Sequence, residues 1–251
     1  MDSLLVLFWA TIGGVVSLLG GILLLTAVKA RTQLIKLALP FGAGALIAAA
    51  FLELLPEAVE ESDIHIVASF ALVGFLAFFI LERLLGWFHH HHHDEVHGNK
   101  NKVHASLVVI GDTLHNAIDG VAIGAAFLIS PAVGIATSLA VAFHEIPTEI
   151  GDFGILLGKG MRRRNVIIVN LASSLATVVA AMAVYWLGSG EHINPAPLLA
   201  LAVGFFIYIS ASDIIPDIHE RPRHEGNVQA VMLVVGAAVI ALLTLLIPDA
   251  H

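Results

Sequence analysis

Apolar runs dominate this chain, broken by short polar punctuation at nearly regular intervals. A helix needs about 20 mostly apolar residues to cross about 30 Å of hydrocarbon. Eight stretches qualify: 4–28, 35–55, 64–88, 105–129, 132–158, 165–188, 195–216 and 228–247. The connections are short except at 89–104, so no separate soluble domain fits, and residues 1–251 read as one transmembrane domain. The pattern predicts an all-α integral membrane protein of eight transmembrane helices. The first run has no basic segment before it and no small-residue cleavage site, so it reads as a first span rather than a removed signal peptide.

Composition agrees with the pattern. Hydrophobic residues make up 58% of the 251 and charged residues only 13%, against about a quarter charged in soluble domains. The formal net charge of −8 argues against nucleic acid as a partner, and the lack of cysteine excludes thiolate metal sites.

The twelve basic residues orient the chain. Lys29, Arg31 and Lys36 lie around the first connection, Arg83, Lys100 and Lys102 around the third. Lys159, Arg162, Arg163 and Arg164 mark the fifth, Arg221 and Arg223 the seventh, and the other connections and both termini have none. This bias places the odd connections in the cytoplasm and both termini outside, as a multi-pass protein of the plasma or inner membrane.

Against this apolar background two segments stand out. "HNAIDG" (His115 to Gly120) and "HEIPTEIGD" (His144 to Asp152) fall near the midpoints of the fourth and fifth runs. A charged side chain at that depth costs about 2.5–3.5 kcal/mol on insertion scales. Glu145, Glu149 and Asp152 must therefore face one another, water or a cation. His115 and Asp119 are four apart, so they share a helical face, which Asp112 extends; Asn116 reaches the adjoining face. Glu145, Glu149 and Asp152 follow i, i+4, i+7, with His144 and Thr148 alongside. Two such stripes face to face would form a cage of imidazole and carboxylate, a donor set that suits zinc and also ferrous iron, manganese or cobalt. A salt-bridged packing network is the alternative, but the basic residues lie at the helix ends. Pro147 would kink its helix, and Gly111, Gly120, Gly124, Gly151 and Gly154 would let spans four and five approach closely.

Two further patterns matter. "ELLPE" (Glu53 to Glu57) and "DIIPD" (Asp213 to Asp217) both read acid, two aliphatics, proline, acid, and both close a helix. With the orientation above, one faces outside and the other the cytoplasm. This suggests a 3+2+3 bundle, in which spans one to three and six to eight form an inverted repeat. The polar segment 89–104 predicts a disordered cytoplasmic loop, in which His89, His90, His91, His92, His93 and His97 would buffer metal.

At these residues the sequence resembles the ZIP (Zrt-, Irt-like) family of divalent metal transporters. "HNAIDG" is similar to that family's HNxxDG motif, and "HEIPTEIGD" to the HExPHExGD signature of one large branch. The resemblance implies a binuclear metal centre between spans four and five, with His115, Asn116, Asp119, His144 and Glu145 as ligands. Thr148 stands where the branch has a bridging histidine, with Glu149 beside it. It further implies an uptake transporter rather than an enzyme, a homodimer, and no cofactor beyond the transported ion: Zn2+, with Fe2+, Mn2+ and Cd2+ as further candidates. Metal would enter past Glu53 and Glu57 and leave past Asp213, Asp217 and His219. An intramembrane metalloprotease would need a second histidine where Thr148 stands. A cation-diffusion exporter would need six spans and a cytoplasmic C-terminal domain.

Overall fold

The computed structural model describes residues 3–16, 18–19, 28–91, 97–190 and 194–246; within these, the side chains of 28–35, 85–91, 97–104, 190 and 213 are not described. The described chain is helical throughout, without strands. Helix α1 is Ser3–Gly14. Helix α2 comprises Val28–Ala49, a π-helical turn Ala50–Leu54 and Leu55–Glu61. Then come α3 (Ile64–His91), α4 (His97–Ile129), α5 (Pro131–Gly158) and α6 (Arg163–Gly190). Helix α7 repeats the composite form, with Ala196–Ile209, a π-helical turn Ser210–Ile214 and Ile215–Glu220; α8 is Arg223–Leu246.

Six of these segments are long and apolar enough to span a membrane: Lys36–Glu61, Ile64–Leu84, Ala105–Ile129, Arg163–Ser189, Ala196–Glu220 and Arg223–Leu246. The chain is a multi-pass membrane protein. Helix α1 is apolar but has only 12 residues. Helix α5 has 28 but carries His144, Glu145, Glu149 and Asp152.

Local signals explain the element ends that frame the site. Ser130 caps α5, its hydroxyl accepting from the Val133 N–H at 3.2 Å, and Pro131 occupies the first helical position, where no N–H is needed. Pro56 and Pro216 explain the two π-turns. A proline offers no N–H to the carbonyl four residues back, and its ring crowds that carbonyl. An extra residue relieves both, and the following N–H reaches five back, Leu55 to Ala50 O and Ile215 to Ser210 O.

Packing divides the helices. Helices α1, α4, α5 and α6 pack on one another; α2 pairs with α8 and α3 with α7. The two pairs use the same device: Gly44 and Gly236 bring α2 and α8 backbone to backbone, and Gly74 and Gly204 do so for α3 and α7. Beyond each π-turn the partner changes. Leu55–Glu61 packs on α7, and Ile215–Glu220 on α8.

Two sequence expectations need correction. The segment 89–104 is not one irregular loop, because α3 runs to His91 and α4 starts at His97, which leaves only 92–96, with His92 and His93, outside the described residues. Helices already nucleated by apolar spans extend at little cost through polar residues. Gly120 and Gly124 do bring helices together, but against Thr177 and Ala181 of α6 rather than α5; Gly151 has no atom within 4 Å of where a Cβ would be.

Candidate metal centre

His115 lies ten residues into the apolar segment Ala105–Ile129 and fourteen from its end. There α4 presents His115 and Asp119 on one face, and α5 brings up His144 and Glu145. The Nε2 atoms of the two histidines stand 2.9 Å apart. Asp119 Oδ2 lies 3.2 Å from His144 Nε2 and 3.6 Å from His115 Nε2. Glu145 Oε1 is 3.3 Å from both. Four donor atoms from two helices thus surround one point. Asp119, Glu145 and Glu149 are fully buried, and His144 nearly so.

Burial without partners marks this cluster. Asp119 Oδ1, Glu145 Oε2, Glu149 Oε2 and His144 Nδ1 lack a hydrogen-bond partner, and Asp119 Oδ2 and Glu145 Oε1 face the two imidazoles. Among the described residues, no lysine or arginine pairs with these acids; Lys36 and Arg221 pair with Glu225 and Asp217. Carboxylates desolvated in this way are costly unless a cation joins them. Phe78 stacks edge-on to His115, ring centres 5.9 Å apart, and forms part of an apolar wall.

The neighbouring residues are held differently. The Asn116 amide donates to Asp112 O and Oδ1 at 3.1 and 2.9 Å, and its oxygen accepts from the Thr177 hydroxyl at 2.8 Å. Thr148 donates its hydroxyl to the carbonyl of His144 at 2.9 Å. Helix α5 continues through Pro147. Asp112, Glu145 and Glu149 form a second group, with one carboxylate oxygen from each within 4.8 Å of the others. Ser174 donates to Glu149 Oε1 at 2.8 Å.

A cavity of about 670 Å³ runs from His115 and Asp112 past Thr148 and Asp152 to Glu82 and Asp217. Among the expected pathway residues whose side chains are described, only Asp217 lines it, pairing with Arg221 at 2.8 Å. His219 is exposed near the end of α7, outside the lining. Asp213 lies in the second π-turn, its side chain not described. Glu53, expected at an outer mouth, is instead buried and accepts a hydrogen bond from Thr244 of α8; Glu57 is half-buried. His89, His90 and His91 end α3, and His97 begins α4.

Sequence reasoning missed the contribution of α6. Asn170, Ser173, Ser174 and Thr177 are buried and form a polar seam against α4 and α5. Their i, i+3, i+4, i+7 spacing in an apolar run was the available signal.

Fold and site together define a class: a helical multi-pass membrane protein with a buried imidazole–carboxylate cluster between two of its helices. The family profile described as ZIP zinc transporter matches residues 3–106 and 88–244, and the chain belongs to that family. Similar proteins include mouse zinc transporter ZIP4, 39% identical over 143 residues, which cover 55% of this chain and 22% of that one. The metal cation symporter ZIP14 of Xenopus tropicalis is 36% identical over 149 residues, covering 56% and 32%. The Drosophila melanogaster zinc transporter foi is 35% identical over 144 residues, covering 56% and 20%. The matched region thus spans a third or less of the length of these relatives.

Proposed function

We propose that this chain carries divalent transition-metal ions, zinc foremost, across the membrane into the cytoplasm, seating each ion on His115, Asp119, His144 and Glu145. The spacing of the donors carries the reading. Four ligands at tetrahedral corners about 2.05 Å from zinc stand about 3.3 Å apart. The five measured donor separations run from 2.9 to 3.6 Å. Two carboxylates and two neutral imidazoles carry a charge of −2, which one divalent ion cancels. That cancellation is the reason a bilayer helix tolerates these acids.

Direction rests on two supports: the basic residues cluster at the odd connections, and the cavity leaves His115 toward that same end, where Glu82 attracts cations. Relatives named for zinc and for metal cations both exist, so Fe2+, Mn2+ and Cd2+ are competing substrates in this reading. The eight-span, 3+2+3 inverted arrangement belongs to it as well. Gly44 and Gly204, Glu53 and Asp213, Pro56 and Pro216, and Glu57 and Asp217 are each 160 positions apart, and each series contains a π-turn.

Radiozinc uptake into proteoliposomes, with the other three metals in competition, tests the reading. The parent protein should take up zinc, and His115→Ala and Glu145→Ala should each abolish uptake. Uptake retained in either variant would remove the proposed seat.

A further inference from the structure

We infer that Asp112, Glu145 and Glu149 form a second, oxygen-only cation seat, one helical turn from the histidine seat, which takes a hard divalent ion such as Mn2+ more readily than the first does. The inference rests on the metal-transport reading above but assigns different residues. The family resemblance would place a bridging ligand at 148, where this chain has a threonine whose hydroxyl is committed to the carbonyl of His144. It would also use Asn116, whose oxygen already accepts from Thr177. Both are neutral oxygens already held by a hydrogen bond, weaker ligands for a divalent ion than a carboxylate.

Two carboxylates stand in their place. Asp112 lies three residues before His115, and Glu149 four after Glu145. These steps lead about 4.5 and about 6 Å along their helices in the same direction, since α4 and α5 run antiparallel across a one-residue connection. Glu145 belongs to both groups.

Unpartnered atoms separate this seat from a mere patch of acids. Glu145 and Glu149 are fully buried, and Oε2 of each lacks a hydrogen-bond partner. The partners that exist hold the carboxylates in place and leave room for an ion: Ser174 on Glu149 Oε1, Asn116 on Asp112 Oδ1. Asp112 and Glu149 add two negative charges to the first seat's two, and no described lysine or arginine offsets them. A second divalent ion does. The donor set has no nitrogen, so it favours harder cations than the histidine seat. Access is provided, because Asp112 lines the cavity while Glu145 and Glu149 lie behind it.

Metal stoichiometry of the purified full chain in nanodiscs tests this, with Zn2+ and Mn2+ as probes. With His89 to His93 and His97 replaced by asparagine in every sample, the parent should hold two zinc ions per chain and each of Glu149→Gln and Asp112→Asn one, that remaining ion showing that the fold survives. Both substitutions keep the oxygen that accepts from Ser174 or Asn116. Mn2+ affinity should fall at least tenfold in Glu149→Gln and less than threefold in His144→Ala. A parent that binds a single zinc, lost in His144→Ala, would overturn the second seat and leave the transport reading standing. Two zinc ions retained in both acid variants, or equal loss of Mn2+ in Glu149→Gln and His144→Ala, would also overturn it. A parent that binds no metal would overturn both readings.

Discussion

Gly42 of α2 lies against the backbone of His144, so close that a Cβ at position 42 would stand 2.5 Å from the His144 Cα and 2.9 Å from the Phe143 carbonyl oxygen. No flexible side chain can give way there, because both obstacles belong to the backbone of α5. Gly42→Ala should therefore push α2 away from the histidine, destabilising the protein by about 1–3 kcal/mol, as overpacking does. Zinc affinity should fall with it. Thermal unfolding with and without zinc would check both; an unchanged melting temperature would show that the helices separate freely.

Asn116 is oriented by Thr177, and Asn116 in turn holds Asp112. Thr177→Val keeps the shape and removes the hydroxyl donor. Removing such supporting bonds typically costs 10- to 100-fold in metal affinity. We expect a loss of about tenfold for the ion nearest Asp112, with a smaller loss at the histidines, read by calorimetric titration.

Protons compete with metal for His115 and His144, since only a neutral imidazole offers its lone pair. Acidification should weaken zinc binding and slow uptake; alkaline conditions should restore both. A rate profile flat from pH 5 to 8 would place the rate-limiting event away from the histidines.

Thr148 lines the cavity with His115 and Asp112 and sits one turn after His144 and Glu145. Thr148→His adds a nitrogen donor there. Zinc should gain about tenfold over manganese in competition uptake, in line with the preference of imidazole for the later metal. Unchanged selectivity would mean that the side chain at 148 points past the ions.

Zinc binding should also stabilise the fold. At a hundredfold excess over the dissociation constant, a ligand of the native state adds about 2.7 kcal/mol. The melting temperature of the parent should rise with zinc and fall back with chelator, and His144→Ala should show little of the rise.

Much of this was legible in the sequence, for reasons that differ by residue. The i, i+4 spacing of His115 and Asp119 assigned them one face, and insertion cost required that face to meet another polar one; His144 and Glu145 were the nearest candidates. Partner choice was harder. Periodicity shows that Gly120 and Gly124 share a face but not which neighbour fills it, and α6 does so, not α5. Glu53 sits in a π-turn, whose extra residue a 3.6-residue count does not foresee. Asp112 was visible on the stripe, yet its pairing with Glu149 depends on how α4 and α5 align in depth, which no single helix pattern encodes.

The two π-turns have a consequence for how each rod is used. One surplus residue leaves the downstream azimuth about 100 degrees behind that of an uninterrupted helix of the same sequence. A straight helix offers one stripe to one neighbour along its length, whereas α2 and α7 serve one neighbour before the turn and another after it. Deleting a single residue from 50–54 or 210–214 would restore ordinary winding with every later side chain facing as it does now, and would set Pro56 or Pro216 against the carbonyl four residues back.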